Sequence, residues 1–259
     1  MGENSAIEWT DCTFNPWWGC TRVSPACDGC YADDWAHRLG LSLWDNGQYR
    51  TFGPAHWGEP HKWNRRAAKE GKRLRVFCAS MADVFDKDAP ESERQRLWAV
   101  IEATPHLDWL LLTKRVGNVM RMLPTAWQSH LPPNIWLGIS VVTPLEVARD
   151  VPKLRAIPAY VRFLSMEPLL EEIPMGDHLD GIHWVIVGGE SGRKARPMLE
   201  QWAQRIRRDC ELVGVPFFFK QGSAANWPAY KDSSSFPESL RVREWPVAAD
   251  SASGSPDGK

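Results

Sequence analysis

Cys20, Cys27 and Cys30 fall within eleven residues, C-T-R-V-S-P-A-C-D-G-C, and are the most specific chemical feature of the chain. Two thiols three positions apart around an Asp28-Gly29 turn can clamp one metal centre, and a third reaches it through a short loop. A structural zinc site normally takes four protein ligands; no fourth cysteine lies nearby, and His37 is the closest imidazole. Three thiolates alone leave one iron of a cubane cluster open, as chelation of a cofactor or substrate requires. On the residues alone two other readings stay open: a zinc site completed by His37, and three buried thiols that bind nothing.

Other groups able to do chemistry stand just past short apolar runs. The runs are Arg75–Ala79, Trp109–Leu112, Ile135–Ile139, Val161–Leu164, His183–Val187 and Val215–Phe219, with an earlier strand expected over Thr13–Trp18. Behind them come Cys20, then Ser80 and Asp83, then Thr113-Lys114-Arg115, Ser140, Ser165 and Glu167, Gly188-Gly189-Glu190-Ser191-Gly192, and Lys220-Gln221. A charged residue after one strand is ordinary surface. Polar groups after all seven describe a site, because strand ends of a parallel βα barrel converge on one face.

The elements that must position these groups follow from periodicity. The runs are continuously apolar rather than alternating, the pattern of strands covered on both faces. Helices are expected over Pro90–Ala103, Val116–Leu123, Leu145–Ile157 (with Pro152 a break) and Met198–Val213, the last stopped by Gly214. The expected fold is α/β, a TIM-like βα barrel, full or partial, with parallel strands, an eighth strand near Leu240–Trp245, and a cofactor site at the C-terminal strand ends. A doubly wound open sheet is the alternative. One barrel domain is expected over 1–247, with an inserted loop at 41–66 and a disordered tail at 248–259. Of the 15 tryptophans, Trp109, Trp136, Trp184 and Trp202 read as core, whereas Trp17 and Trp18 adjoin the cysteine loop and could shield a cofactor.

Bulk composition removes other classes. A net charge of -1 provides no global field for nucleic acid. No apolar run reaches membrane length and the N-terminus has no signal-peptide pattern, so a cytoplasmic protein with no membrane partner is expected. The scattered Cys12, Cys78 and Cys210 then read as ligands or buried hydrophobes rather than disulfides.

The run WTDCTFNPWWGC followed by C-x6-C-x2-C, with SMADVF, LLTKR, WLGISV, FLSMEPLL, VIVGGESG, ARPM and FFFKQ, resembles the phage-associated three-cysteine-motif family of radical SAM-like proteins, whose substrate is unassigned. The resemblance spans residues 7–222. It implies a 4Fe-4S cluster on Cys20, Cys27 and Cys30 that binds S-adenosylmethionine, an electron donor protein, and reductive cleavage to a 5′-deoxyadenosyl radical. The commonest radical SAM pattern, C-x3-C-x2-C, has an aromatic before its third cysteine; here that place is Gly29, and Tyr31 is the candidate substitute. Gly188-Gly189-Glu190 looks like the motif that binds the amine of S-adenosylmethionine but follows the sixth strand instead of the second. Position therefore assigns Ser80 and Asp83 to that amine.

Further cofactor contacts are expected from Ser140, Ser191 and Lys220, with Lys114, Glu167 and Glu190 as catalytic candidates. Lys114 or Arg115 would pair with the carboxylate of S-adenosylmethionine or with a substrate phosphate. The basic stretch Lys62–Arg75 is a candidate nucleic-acid contact, against the plainer reading of a solvated helical face. Two competing functions remain: a zinc- or iron-dependent hydrolase or nuclease using the strand-end acids, and a non-catalytic iron–sulfur nucleic-acid-binding protein.

Overall fold

Strands covered on both faces must build a parallel sheet, and the computed structural model, which describes residues 2, 3, 5 and 7–246, contains one. Its strands are β1 (Cys12–Thr13), β2 (Leu74–Cys78), β3 (Leu107–Thr113), β4 (Ile135–Ser140), β5 (Val161–Met166), β6 (Trp184–Gly188) and β7 (Phe217–Gln221). They pair in strict sequence order, each parallel to the next. The result is a curled half-barrel, a partial TIM-like fold, in which β1 and β7 are the two edges. No eighth parallel strand forms over the expected Leu240–Trp245: Arg243 makes one antiparallel bridge to Phe218.

The helices are α1 (Tyr31–Arg38), α2 (Pro54–Trp57), α3 (Glu59–Glu70), α4 (Glu91–Glu102), α5 (Val119–Met122), α6 (Pro144–Arg155) and α7 (Glu200–Val213). Segment 41–66, expected as a loop, carries α2 and most of α3; Pro54 and Pro60 sit in their first turns, where a missing N–H costs nothing. Pro152 lies inside α6 without ending it. Gly214 closes α7 at φ +72°, which a side chain would strain. Among the described residues no helix is long and apolar enough to cross a membrane. The expected tail at 248–259 lies outside the described residues.

Alternate strand residues divide between two cores. Trp109, Leu137, Leu164, Val185 and Phe219 face the helices. Phe77, Leu110, Trp136, Phe163, Trp184, Ile186 and Phe218 fill the concave side, joined by Trp9 from the N-terminal segment. Gly138 belongs to the concave face because a Cβ there would lie 2.3 Å from the Phe163 ring. Above this aromatic packing, at the C-terminal strand ends, the half-barrel leaves open space.

Candidate functional site

That space is a cavity of about 740 Å³, within the range of small-molecule sites. Cys20, Cys27, Cys30, Tyr31, Ser80, Asp83, Lys114, Ser140, Glu167, Glu190, Ser191 and Lys220 all line it, although they are spread over two hundred positions. All six cysteines are free thiols, and Cys12, Cys78 and Cys210 are buried elsewhere.

Each ligand-type cysteine is placed by its own local device. Before Cys20, Gly19 takes φ +120° and passes so close to the Gln48 carbonyl that a Cβ would stand 2.7 Å from it. Cys27 ends a short turn, Pro25–Cys27, whose start is capped by the Ser24 hydroxyl accepting from Ala26 N. Cys30 is the N-cap of α1, where the nearby Ala32 and Asp33 amides favour its thiolate without a capping hydrogen bond from the side chain. Burial raises the Cys30 thiol, with those amides opposing it, and pushes Cys20 up to about 12. A metal binding here therefore displaces protons. Trp18 shares an apolar cluster with Cys20 and Cys30, while Trp17 is fully buried.

No three His, Cys, Asp or Glu side chains among the described residues converge as a single metal ion would require. The His37 ring faces Asp33 Oδ1 at 3.1 Å. A cubane cluster bonds each thiolate to a different iron, so its ligands stand apart around a space. Three free thiols around one cavity fit such a group.

A charge cluster underlies Cys20. Arg115, just after β3, donates from Nη1 to Asp83 (2.8 Å) and Cys20 Sγ (3.7 Å), and from Nη2 to Asp86 (3.3 Å) and the Thr21 carbonyl. Asp83 also accepts from Thr113 Oγ1, Lys114 N and Phe85 N. Asp83, expected to meet the amine of S-adenosylmethionine, lines the cavity and also braces Arg115. Arg115 also lines the cavity, with its guanidinium, 8% exposed in its side chain, held by Asp83 and Asp86.

Glu190, expected as a catalytic acid, is tied to Arg196: Oε2 accepts from Arg196 N (2.8 Å) and Nε (2.9 Å), and Oε1 from Nη2 (2.7 Å). Arg196 Nη1 then reaches the Pro25 carbonyl at 2.9 Å, while Ser24 donates to Glu146 on α6 at 2.6 Å. The cysteine loop is thus latched across the mouth to elements following β4 and β6. Gly29 is explained by the same contact, since a Cβ there would lie 2.2 Å from Glu190 Oε1. The Gly188-Gly189-Glu190 triplet is a packing device: a Cβ on Gly188 would meet Glu167 Oε1 at 2.7 Å, and one on Gly189 the Ser223 N at 2.4 Å.

Burial raises the Glu190 carboxyl, but the Arg196 hydrogen bonds outweigh it and hold it below the ordinary 4.5. Glu190→Ala should cost about 1–3 kcal/mol in urea unfolding at neutral pH. Because the folded value is lowered, this increment is present above 4.5 and lost as pH falls through the lowered range. The gap between parent and variant should therefore close in acid, and a gap independent of pH would remove the charged latch.

The remaining groups are better placed for a ligand. Glu167 pairs with Lys220 at 2.8 Å, off the hydrogen-bonding direction, and accepts from Ser165 at 3.2 Å; Ser140 donates to its carbonyl at 3.4 Å. Among the described residues the Lys114 ammonium makes no ion pair or hydrogen bond; it lies near enough to Cys30 to favour the thiolate. Tyr31 crosses the mouth and donates to the Ser80 carbonyl at 2.8 Å, and Asn15, missed in the sequence, bonds the Ser80 hydroxyl and Met81 N. The basic stretch does not serve the mouth. Lys62, Arg66, Lys72, Arg73 and Arg75 pair with Glu59, Glu3, Glu70, Asp108 and Asp11, and the Arg73–Arg75 end meets β2 at its start, opposite the cysteines.

Residues 4–245 match the family described as Protein of unknown function (DUF5131), and the chain belongs to that family. No curated protein matches it. Among solved structures, a double mutant of spore photoproduct lyase with bound AdoMet and dinucleoside spore photoproduct is similar in fold, with TM-score 0.50 and 12% identity, covering 80% of this chain and 63% of the lyase chain. This chain thus spans less than two thirds of that protein. A cysteine-to-serine mutant of the lyase gives TM-score 0.56 and 13% identity, over 85% and 79% of the two chains. At these identities the likeness is one of fold, a partial βα barrel.

Proposed function

We propose that this member of the family is an iron–sulfur enzyme of radical SAM type. The observation that carries the reading is the convergence of three free thiols, which do not form a single-ion site, on a cavity at the C-terminal ends of a half-barrel. Cys20, Cys27 and Cys30 would hold a 4Fe-4S cluster, and a cytoplasmic setting, with an electron donor protein, would keep it reducible. Such a group supplies one electron for cleaving S-adenosylmethionine to methionine and a 5′-deoxyadenosyl radical.

The chain's own residues bind, orient and exclude water. Lys114, a cation on the cavity wall without an ion pair among the described residues, pairs with the carboxylate of S-adenosylmethionine or a substrate phosphate. The Glu167–Lys220 pair, with Ser140, Ser165 and Ser191 around it, presents acceptors and donors for hydroxyl groups. Tyr31 bounds the mouth and Trp18 helps exclude water from the cysteine side. The dinucleoside ligand of the fold relative supports a nucleotide or nucleic-acid substrate, which would have to be recognised at the mouth rather than by Lys62–Arg75.

Anaerobic reconstitution with iron and sulfide, then S-adenosylmethionine and dithionite, tests the reading by 5′-deoxyadenosine production. Lys114→Ala should lower that production about 10- to 100-fold, the worth of one charge-assisted bond. Its melting temperature should stay within about 2 °C of the parent, because no protein partner is lost. Unchanged production would remove Lys114 from the site.

A further inference from the structure

Resting on the cluster reading, the strongest remaining asymmetry is between the three sulfurs. Cys30 lies beside the Ala32 and Asp33 amides at the start of α1, without a capping hydrogen bond to its sulfur. Cys20 instead has a buried guanidinium: Arg115, 8% exposed in its side chain, places Nη1 3.7 Å from Sγ. The same side chain takes the Thr21 carbonyl, while Asp86 accepts from Thr21 N at 3.0 Å. Asp83 and Asp86 fix the two ends of the guanidinium, so it cannot swing away from the sulfur. The other groups facing this point are Thr113, which bonds Asp83, and Tyr49, whose hydroxyl approaches Asp86 at 3.4 Å. All of these are braced, and only the Nη1 contact touches a candidate iron ligand.

We propose that Arg115 is a positioning residue that holds Cys20 Sγ by an N–H···S bond and so sets how firmly the cluster is kept and how readily it accepts an electron. The reduced cluster carries one more negative charge than the oxidised one. A donor aimed at a ligand sulfur stabilises that extra charge, as hydrogen bonds to cluster sulfurs do generally. Without the guanidinium, Asp83 and Asp86 would face the sulfur uncompensated and oppose reduction. The Cys20–Thr21 peptide would also lose its anchor, opening a route for iron to leave.

Two variants and one measurement on the unaltered chain test this. Arg115→Lys keeps the charge but cannot reach sulfur, Thr21 and both carboxylates together. The double variant Arg115→Gln with Asp86→Asn keeps the local net charge and isolates the N–H···S bond. In each, anaerobically reconstituted protein should lose iron to a chelator at least tenfold faster than the parent. Its reduced-to-oxidised ratio at a fixed potential should fall tenfold, a 59 mV negative shift for a one-electron couple. In the unaltered protein, 15N-arginine labelling should convert a 14N coupling in the pulsed electron paramagnetic resonance spectrum of the reduced cluster into a 15N coupling, whether or not the variants fold. Absence of that coupling, or folded variants with the parent's potential and iron retention, overturns the role of Arg115. A parent that binds no iron overturns the cluster reading instead.

Discussion

Prepared without oxygen, the protein should be brown and carry about four irons per chain, as a cubane requires. Cys20→Ala, Cys27→Ala or Cys30→Ala should each remove most of that iron and all 5′-deoxyadenosine production. Cys12→Ala, Cys78→Ala and Cys210→Ala should keep the iron, because their sulfurs are buried away from the cavity. Iron and acid-labile sulfide assays with the six variants decide the matter. Stoichiometric zinc without iron in the parent would end the cluster assignment.

The second large effect should come from Asp83→Ala. The carboxylate is 5% exposed and accepts from Arg115, Thr113, Lys114 N and Phe85 N. Removing it leaves a buried guanidinium short of a partner and orphans three further donors. Breaking a buried pair from one side costs about 3–5 kcal/mol. For a chain of this size that is a melting-temperature drop on the order of 10 °C. Lys114 is adjacent in sequence to this network, yet Lys114→Ala should leave melting almost unchanged. Thermal unfolding of the two variants side by side separates brace from ligand group, and equal melting temperatures would refute the distinction.

The contrast between these neighbours shows what is legible in a sequence. Strands β2 to β7 were readable because both faces are covered, so runs such as WLLL and HWVIV carry no polar alternation. The cavity was readable because a strand's end is local information, and topology brings the ends together. β1 was overestimated: only Cys12–Thr13 pairs with β2, and Trp18 leaves the sheet to bridge Arg50. What a polar residue does at the mouth was not readable. Asp83 and Lys114 look alike as charged strand-end residues, but one accepts from four donors and the other has no ion pair among the described residues. That difference is set by tertiary contacts. Likewise ARPM stood out as a motif, but nothing near it in sequence says that Arg196 bonds the Pro25 carbonyl, 171 positions away.

That separation also bears on biosynthesis. The cysteine loop emerges from the ribosome early, yet its far supports, Glu146 and Arg196, follow 122 and 171 residues after their partners. At about 5–20 residues per second, the nascent thiols wait roughly 10–30 s before Arg196 exists to hold the loop. During that interval they belong to an unsupported peptide, open to oxidants and to the wrong metals. Maturation should therefore be a post-translational event, with iron delivered to a finished half-barrel rather than to a growing chain.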